Sequence, residues 1–177
     1  SEIYTDFSFF PAASKNHHEY VSGLLHHTVT MLKIAKALVE IYPSIDKNYL
    51  YAGIILHDAM KTKELTGPAI PKYTLQGRLL GHISMGQANV SRVCEKLNIS
   101  DEVSIVLQHL VLSHHGQRDF GSPMEPSTRE AELIYLIDNI DSKLNMIDKA
   151  LKDIPEGEFT SKINPLDNRC FYKPTKK

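Results

Sequence analysis

Apolar residues recur at three- and four-residue spacing in five successive segments of this chain. The alternation of period two that a half-buried strand needs is almost absent. The first stripe is Val21, Leu24, Leu25, Thr28, Leu32, Ala35 and Val39, in a helix read from Asn16 and stopped by Pro43. Asp46 is suited to cap a second helix, striped by Leu50, Gly53 and Ile54 and ending at His57. Thr66-Gly67-Pro68 and Ile70-Pro71 mark a loop. A third stripe is Leu79, Ile83, Gly86, Val90, Val93 and Leu97. Asp101 is read as the cap of a fourth helix, which carries Val103, Val106, Leu107, Leu110 and Val111 and ends in His114-His115-Gly116. After the loop from Gly121 to Pro126, Thr128 with Ala131 and Glu132 opens a fifth helix running to about Ile154, followed by an irregular tail. The expectation is an all-α bundle of five or more helices over residues 16–177. Residues 1–15, aromatic and without helical period, form a docked arm or a linker remnant.

A chain of 177 residues suits one domain with a sizeable core. Its net charge of −1 supplies no global basic field, so a polyanion would need local positive charge or metal. Cys94 and Cys170 are too few and too far apart for a zinc motif or a disulfide framework, which points to a reducing cytoplasm. No apolar run approaches the roughly 18 residues of a membrane span, and no signal peptide is visible.

The unusual feature is nine histidines, most of them beside apolar stretches. His27 lies one turn from Leu24 and Met31, whereas His26 shares a face with Ser22, Thr30 and Lys33. His57 continues the stripe of its helix and Asp58 follows it. His82 sits one turn after Leu79 by period, and His114 is the next stripe position after Val111. Asp138 interrupts the apolar run Leu133-Ile134-Tyr135-Leu136-Ile137. One histidine on an apolar face is ordinarily a core residue, and His17, His18 and His109 taken singly carry no more than that. Ligand-type groups on five successive helices are harder to read so. Imidazole and carboxylate in a partly buried site are what first-row divalent ions bind, and a metal relieves the cost of burying Asp138.

The order His27, then His57-Asp58, then Asp138 resembles the H…HD…D signature of the HD superfamily of metal-dependent phosphohydrolases, and His82 with His114-His115 resembles its binuclear branch. The resemblance extends further, to the YhaM-type 3′-5′ exoribonucleases. Its carriers are Asn16-His17-His18, Gly23-Leu24-Leu25-His26-His27-Thr28, Leu56-His57-Asp58-Ala59-Met60-Lys61, Gly81-His82-Ile83, Leu112-Ser113-His114-His115-Gly116 with Gly121-Ser122-Pro123, and Ile137-Asp138-Asn139-Ile140-Asp141. Leu166-Asp167-Asn168-Arg169 and Phe171-Tyr172-Lys173-Pro174 look like that family's C-terminus. The cyclic-dinucleotide branch follows its double histidine with Gly-Tyr-Pro, where this chain has Gly121-Ser122-Pro123.

The resemblance implies an HD phosphohydrolase domain over 16–177 that removes mononucleotides from the 3′ end of RNA. It implies metal ligands His27, His57, Asp58 and Asp138 at one site, and His82 and His114 at a second, with His115 a further candidate and Asp58 bridging. Two divalent transition ions are expected, from Mn, Fe, Co, Ni or Zn with Mn favoured, and they would activate water. Asp58 and Lys61 are the expected catalytic residues, Lys61 matching a lysine that follows the His-Asp doublet in many HD enzymes. His18, Arg78, Arg118 and Asp141 are the expected substrate contacts, with Lys72 a lesser one, and the positioning of a ligand is the other role expected of Asp141. Family members carry an OB-type nucleic-acid-binding domain upstream, whereas here a short aromatic arm precedes Asn16. The chain is thus expected to be an excised catalytic domain or a shortened relative. The other readings are a nucleotide phosphomonoesterase or triphosphohydrolase, and a metal-bound regulatory module without activity.

Overall fold

The computed structural model describes residues 2–12, 21–67 and 71–175. Its helices are α1 (Glu2–Phe9), α2 (Gly23–Ile41), α3 (Lys47–Leu56), α4 (Lys61–Glu64), α5 (Leu75–Leu79), α6 (Gly81–Lys96), α7 (Asp101–Ser113) and α8 (Arg129–Lys152). Among the described residues there is no extended strand, and pairing is limited to isolated bridges such as Leu65 with Tyr73 and Phe159 with Tyr172. The all-α expectation is met.

The caps follow from side-chain chemistry. Asp46 accepts from the Asn48 N–H at 2.8 Å to start α3, and Thr128 accepts from the Ala131 N–H at 3.1 Å to start α8. The bundle closes on one core cluster in which Met31 and Ala35 of α2, Leu50 and Ile54 of α3, Leu110 of α7, and Ala131, Ile134 and Ile137 of α8 are fully buried. Gly53 is the contact point of this core. A Cβ there would run into the Ile134 and Leu110 side chains, so glycine lets α3 approach α7 and α8 closely.

Several boundaries differ from the expectation. Residues Glu2–Phe9 are helical despite lacking an apolar period, and the segment docks through Phe10, which packs against Leu24 and Leu65. Residues 16–20 of the helix read from Asn16 lie outside the described residues, and α2 begins at Gly23, after Ser22 in a left-handed conformation (φ 67°). The third stripe is broken in two, since Gly81 (φ 70°) separates α5 from α6. Leu79, Val93 and Leu97, assigned to that stripe, are exposed. Ser100 takes the cap position of α7, and Asp101 is its first helical residue, where a negative charge suits the helix dipole.

Candidate metal centre

The core helices end or turn around one buried cluster. His27 comes from the N-terminal part of α2, and His57 and Asp58 from the turn that closes α3. His82 opens α6, His114 follows the last turn of α7 with His115 beside it, and Asp138 comes from the buried face of α8. The imidazoles form a chain, with ring centroids 5.5 Å apart for His27–His57, 5.0 Å for His57–His114 and 5.5 Å for His82–His114. His115 stacks edge-on 4.3 Å from His114.

Asp58 lies at the middle and divides its carboxylate. Its Oδ2 is 3.2 Å from His57 Nε2 and 3.9 Å from His27 Nε2. Its Oδ1 is 3.3 Å from His82 Nε2 and 3.7 Å from His114 Nε2. The ligand-type atoms of His27, His57 and Asp138 gather within 4.8 Å of one another, and those of His82, His114 and His115 do the same.

Each ring has its other nitrogen committed. Nδ1 of His57 donates to the Ile54 carbonyl (2.8 Å), that of His114 to Val111 (2.7 Å) and that of His115 to Phe120 (2.8 Å). His82 Nδ1 donates to the Glu64 carboxylate at 3.1 Å, and His27 Nδ1 to Asp141 Oδ2 at 2.6 Å. In His57, His82 and His114, with the proton on Nδ1, Nε2 presents a lone pair to the centre. Lone pairs of His57, His82 and His114 thus face a carboxylate whose oxygens are also acceptors. Nε2 of these three histidines and Oδ1 of Asp58 are buried with no hydrogen-bond partner among the described residues. Acceptors turned on acceptors in a buried site are unfavourable unless a cation stands between them. The donor set therefore fits divalent transition metal.

Lys61 Nζ donates to Asp58 Oδ2 at 2.7 Å, and both side chains are nearly inaccessible. Burial opposes the Asp58 charge, but His57 and Lys61 outweigh it and hold the carboxyl well below the ordinary range. Burial likewise opposes the Lys61 charge, and Asp58 overcomes it to keep the ammonium. Burial would lower His27, yet hydrogen bonds to Asp138 and Asp141 and the charges of Asp138 and Asp58 push it up to about 9. Asp138 is lowered by His27 and His57 against its own burial. Burial lowers His114 and His115, aided by neighbouring imidazoles, so both rings are neutral.

The cluster brings together the residues expected as ligands and Lys61. Of the two roles expected of Asp141, the structure favours the positioning of a ligand over substrate contact, since it lies buried behind His27, on the Nδ1 side of the ring away from Asp58 and Asp138. Arg118 is exposed and lines a separate cavity with Asp119, Glu125 and Glu132, where acidic neighbours would oppose a phosphate. Arg78 and Lys72 are exposed, and His18, with His17, lies outside the described residues. His109 accepts from the Ser127 N–H, tying α7 to the loop before α8. Sequence reasoning missed Glu64, which is buried and accepts from both the ring and the backbone N–H of His82. It also missed the role of Ser122, whose Oγ accepts from the His115 N–H at 3.0 Å.

Residues 24–143 match the HD domain family model, so this chain belongs to the HD domain family. Within the span of that family, it is 52% identical over 170 residues to the protein named 3′-5′ exoribonuclease YhaM of Bacillus subtilis (strain 168), covering 96% of this chain and 54% of that protein. It is 55% identical over 165 residues to the protein of the same name from Geobacillus sp. (strain WCH70), covering 93% of this chain and 51% of the relative. The chain thus spans about half the length of the curated relatives it matches. No solved structure matches it. No helix among the described residues is long and apolar enough to cross a membrane.

Proposed function

We propose that this chain carries the catalytic HD domain of a metal-dependent phosphodiesterase that shortens RNA from its 3′ end and releases mononucleotides. The observation that carries this reading is Asp58, whose two oxygens face two separate groups of histidine nitrogens across a buried centre. His27, His57, Asp58 and Asp138 would hold one divalent ion, and Asp58, His82 and His114 with His115 a second, manganese being favoured. Such ions supply Lewis acidity, polarising the phosphoryl group and lowering the pKa of water towards neutrality. The backbone and carboxylate acceptors at each Nδ1 fix ring orientation before substrate arrives. Lys61 brings a permanent positive charge to the same carboxylate and draws a non-bridging phosphate oxygen as negative charge develops on it. Burial of the centre keeps these interactions out of bulk water, where they would be weaker.

The identity to YhaM proteins supports RNA as the substrate class. The domain proposed is residues 16–177, with 1–15 as an N-terminal arm, of which Phe10 packs against Leu24 and Leu65. A reducing, cytoplasmic setting agrees with the two free cysteines, Cys94 and Cys170. The test is incubation with Mn²⁺ and either 5′-labelled RNA or a panel of nucleotides. Stepwise shortening from the 3′ end with release of 5′-mononucleotides supports the reading. Inorganic phosphate released from nucleotides, with RNA left intact, would replace it with a nucleotide phosphohydrolase.

A further inference from the structure

A cavity of about 350 Å³ opens beside the centre, with His115 and Asp138 in its lining. We propose that it receives the nucleoside of a bound 5′-nucleotide whose phosphate lies at the metal centre, a subsite that rests on the reading above for the position of the phosphate. His115 and Asp138 belong to the two different ligand groups, so the cavity starts where both groups meet open space. From there it runs along one face of α8, past Asn139, Ser142 and Met146, which are spaced at about one turn. The tail contributes Pro165 to the lining, in the short 3₁₀ turn Asn164–Leu166.

The lining decides which part of a nucleotide fits. No lysine or arginine lines the cavity among the described residues, so it offers no counter-charge for a second phosphate. It offers instead an aromatic ring, a thioether and short polar groups, which suit a base and a ribose. Phe120 is 59% exposed, an apolar ring with a free face, and base stacking on such a ring is tolerant of sequence. The Phe120 carbonyl accepts from His115 Nδ1, so the ring's backbone is tied to a candidate ligand. Asn139 Nδ2 donates to the Tyr135 carbonyl at 2.9 Å, which leaves its Oδ1 to accept from a base or hydroxyl. The volume falls in the roughly 300–1,000 Å³ range of small-molecule sites and suits one nucleoside, as removal of single nucleotides requires.

The experiment is calorimetric titration of the Mn²⁺-loaded chain with AMP, UMP, ribose 5-phosphate and inorganic phosphate. Both nucleotides should bind at least tenfold tighter than phosphate, with ribose 5-phosphate between. Phe120→Ala should remove most of that advantage and leave phosphate affinity within twofold, and Phe120→Tyr should retain it. Ser142→Leu, which fills the cavity from α8, should weaken the nucleotides selectively. Equal affinity of nucleotides and phosphate in the unmodified chain would overturn the proposal. So would an advantage that survives both Phe120→Ala and Ser142→Leu. Binding is read without turnover, so a chain that binds nucleotides in this manner yet leaves RNA intact refutes the exoribonuclease reading and not the subsite.

Discussion

Glu64 holds His82 at two points, accepting from its backbone N–H at 3.1 Å and from its ring Nδ1 at 3.1 Å. The first contact fixes the start of α6 and the second fixes the direction in which Nε2 points. Burial raises the cost of the Glu64 charge, and the hydrogen bond from His82 more than offsets it, holding the carboxyl below its ordinary value. Outer partners of this kind change metal affinity by about 10- to 100-fold when removed. Glu64→Ala should therefore weaken binding at the His82–His114 group by that factor while the His27–His57 group keeps its ion. Metal analysis after dialysis would show close to one ion per chain where the unmodified protein retains two. Equal retention in both proteins would count against the role.

Asp58 serves both groups at once, so its loss should be felt at both. Asp58→Asn keeps the shape but removes the charge, leaving Lys61 buried beside a neutral amide. Phosphodiester hydrolysis should fall by about a hundred- to a thousandfold, the range seen when a key electrostatic group is lost. Helix content should persist, because the core of Met31, Leu50, Ile54, Leu110 and Ile134 is built without it. Circular dichroism and turnover with metal content verified are the two measurements. Turnover near that of the unmodified chain would end the bridging assignment.

Metal binding should release a proton. His27 is pushed up to about 9, above its usual 6.5, so in the metal-free protein near pH 7.5 the ring is charged. A raised folded pKa contributes stability that is complete below about 6.5 and fades as pH rises through about 9. The same proton competes with metal for Nε2, so affinity at the His27 group should climb between those limits and level off above. His114, lowered by burial, is already neutral and contributes no proton. Calorimetry of Mn²⁺ binding in two buffers of different ionisation enthalpy should report about one proton released at pH 7.5. No release, with affinity flat over that interval, would refute the coupling.

Gly53 sits where α3, α7 and α8 meet, and an added Cβ would overlap the Ile134 and Leu110 side chains. Alanine is the better helix former by about 1 kcal/mol, so an exposed site would gain from the change. Here overpacking costs about 1–3 kcal/mol and should win. Gly53→Ala should lower Tm by several degrees in a thermal melt, at about 2–4 °C per kcal/mol for a chain of this size. An unchanged or raised Tm would mean that the core yields without cost.

The main helices and the cluster could be read from sequence because both rest on one periodicity. Leu24, His27 and Met31 share a face of α2, so a buried stripe delivers a buried imidazole. Asp141, one turn after Asp138, meets the same His27 ring from its Nδ1 side. Glu64 could not be read this way. It sits on the four-residue α4, too short to show a period, and its partner lies 18 residues further on. The break at Gly81 depends on a positive φ that a lone glycine does not announce. For Arg78 and Arg118 the sequence offers charge alone, which carries no information about direction.

The last expectation concerns long RNA. Polynucleotide affinity depends on phosphate neutralisation, and each phosphate contacted on a single strand adds about 0.7 to the salt slope. The chain has a net charge of −1 and 8% aromatic residues without tryptophan. Among the described residues its cations near the centre are few: Lys61 is buried against Asp58, and Lys63 lies 3.7 Å from Asp6. Arg118 lies among acidic residues. The chain should therefore bind RNA weakly, with a slope of log affinity against log salt of roughly 1–2 in magnitude. It should cut short oligonucleotides about as well as long ones and let go after few steps. Fusing an OB-type domain ahead of Ser1 should lower KM for long RNA far more than it alters kcat on a small diester. The measurement is a salt titration of RNA binding by the Asp58→Asn variant. A slope equivalent to five or more contacts would reveal a phosphate-binding surface beyond the centre, and the isolated chain would then be a competent RNA binder in its own right.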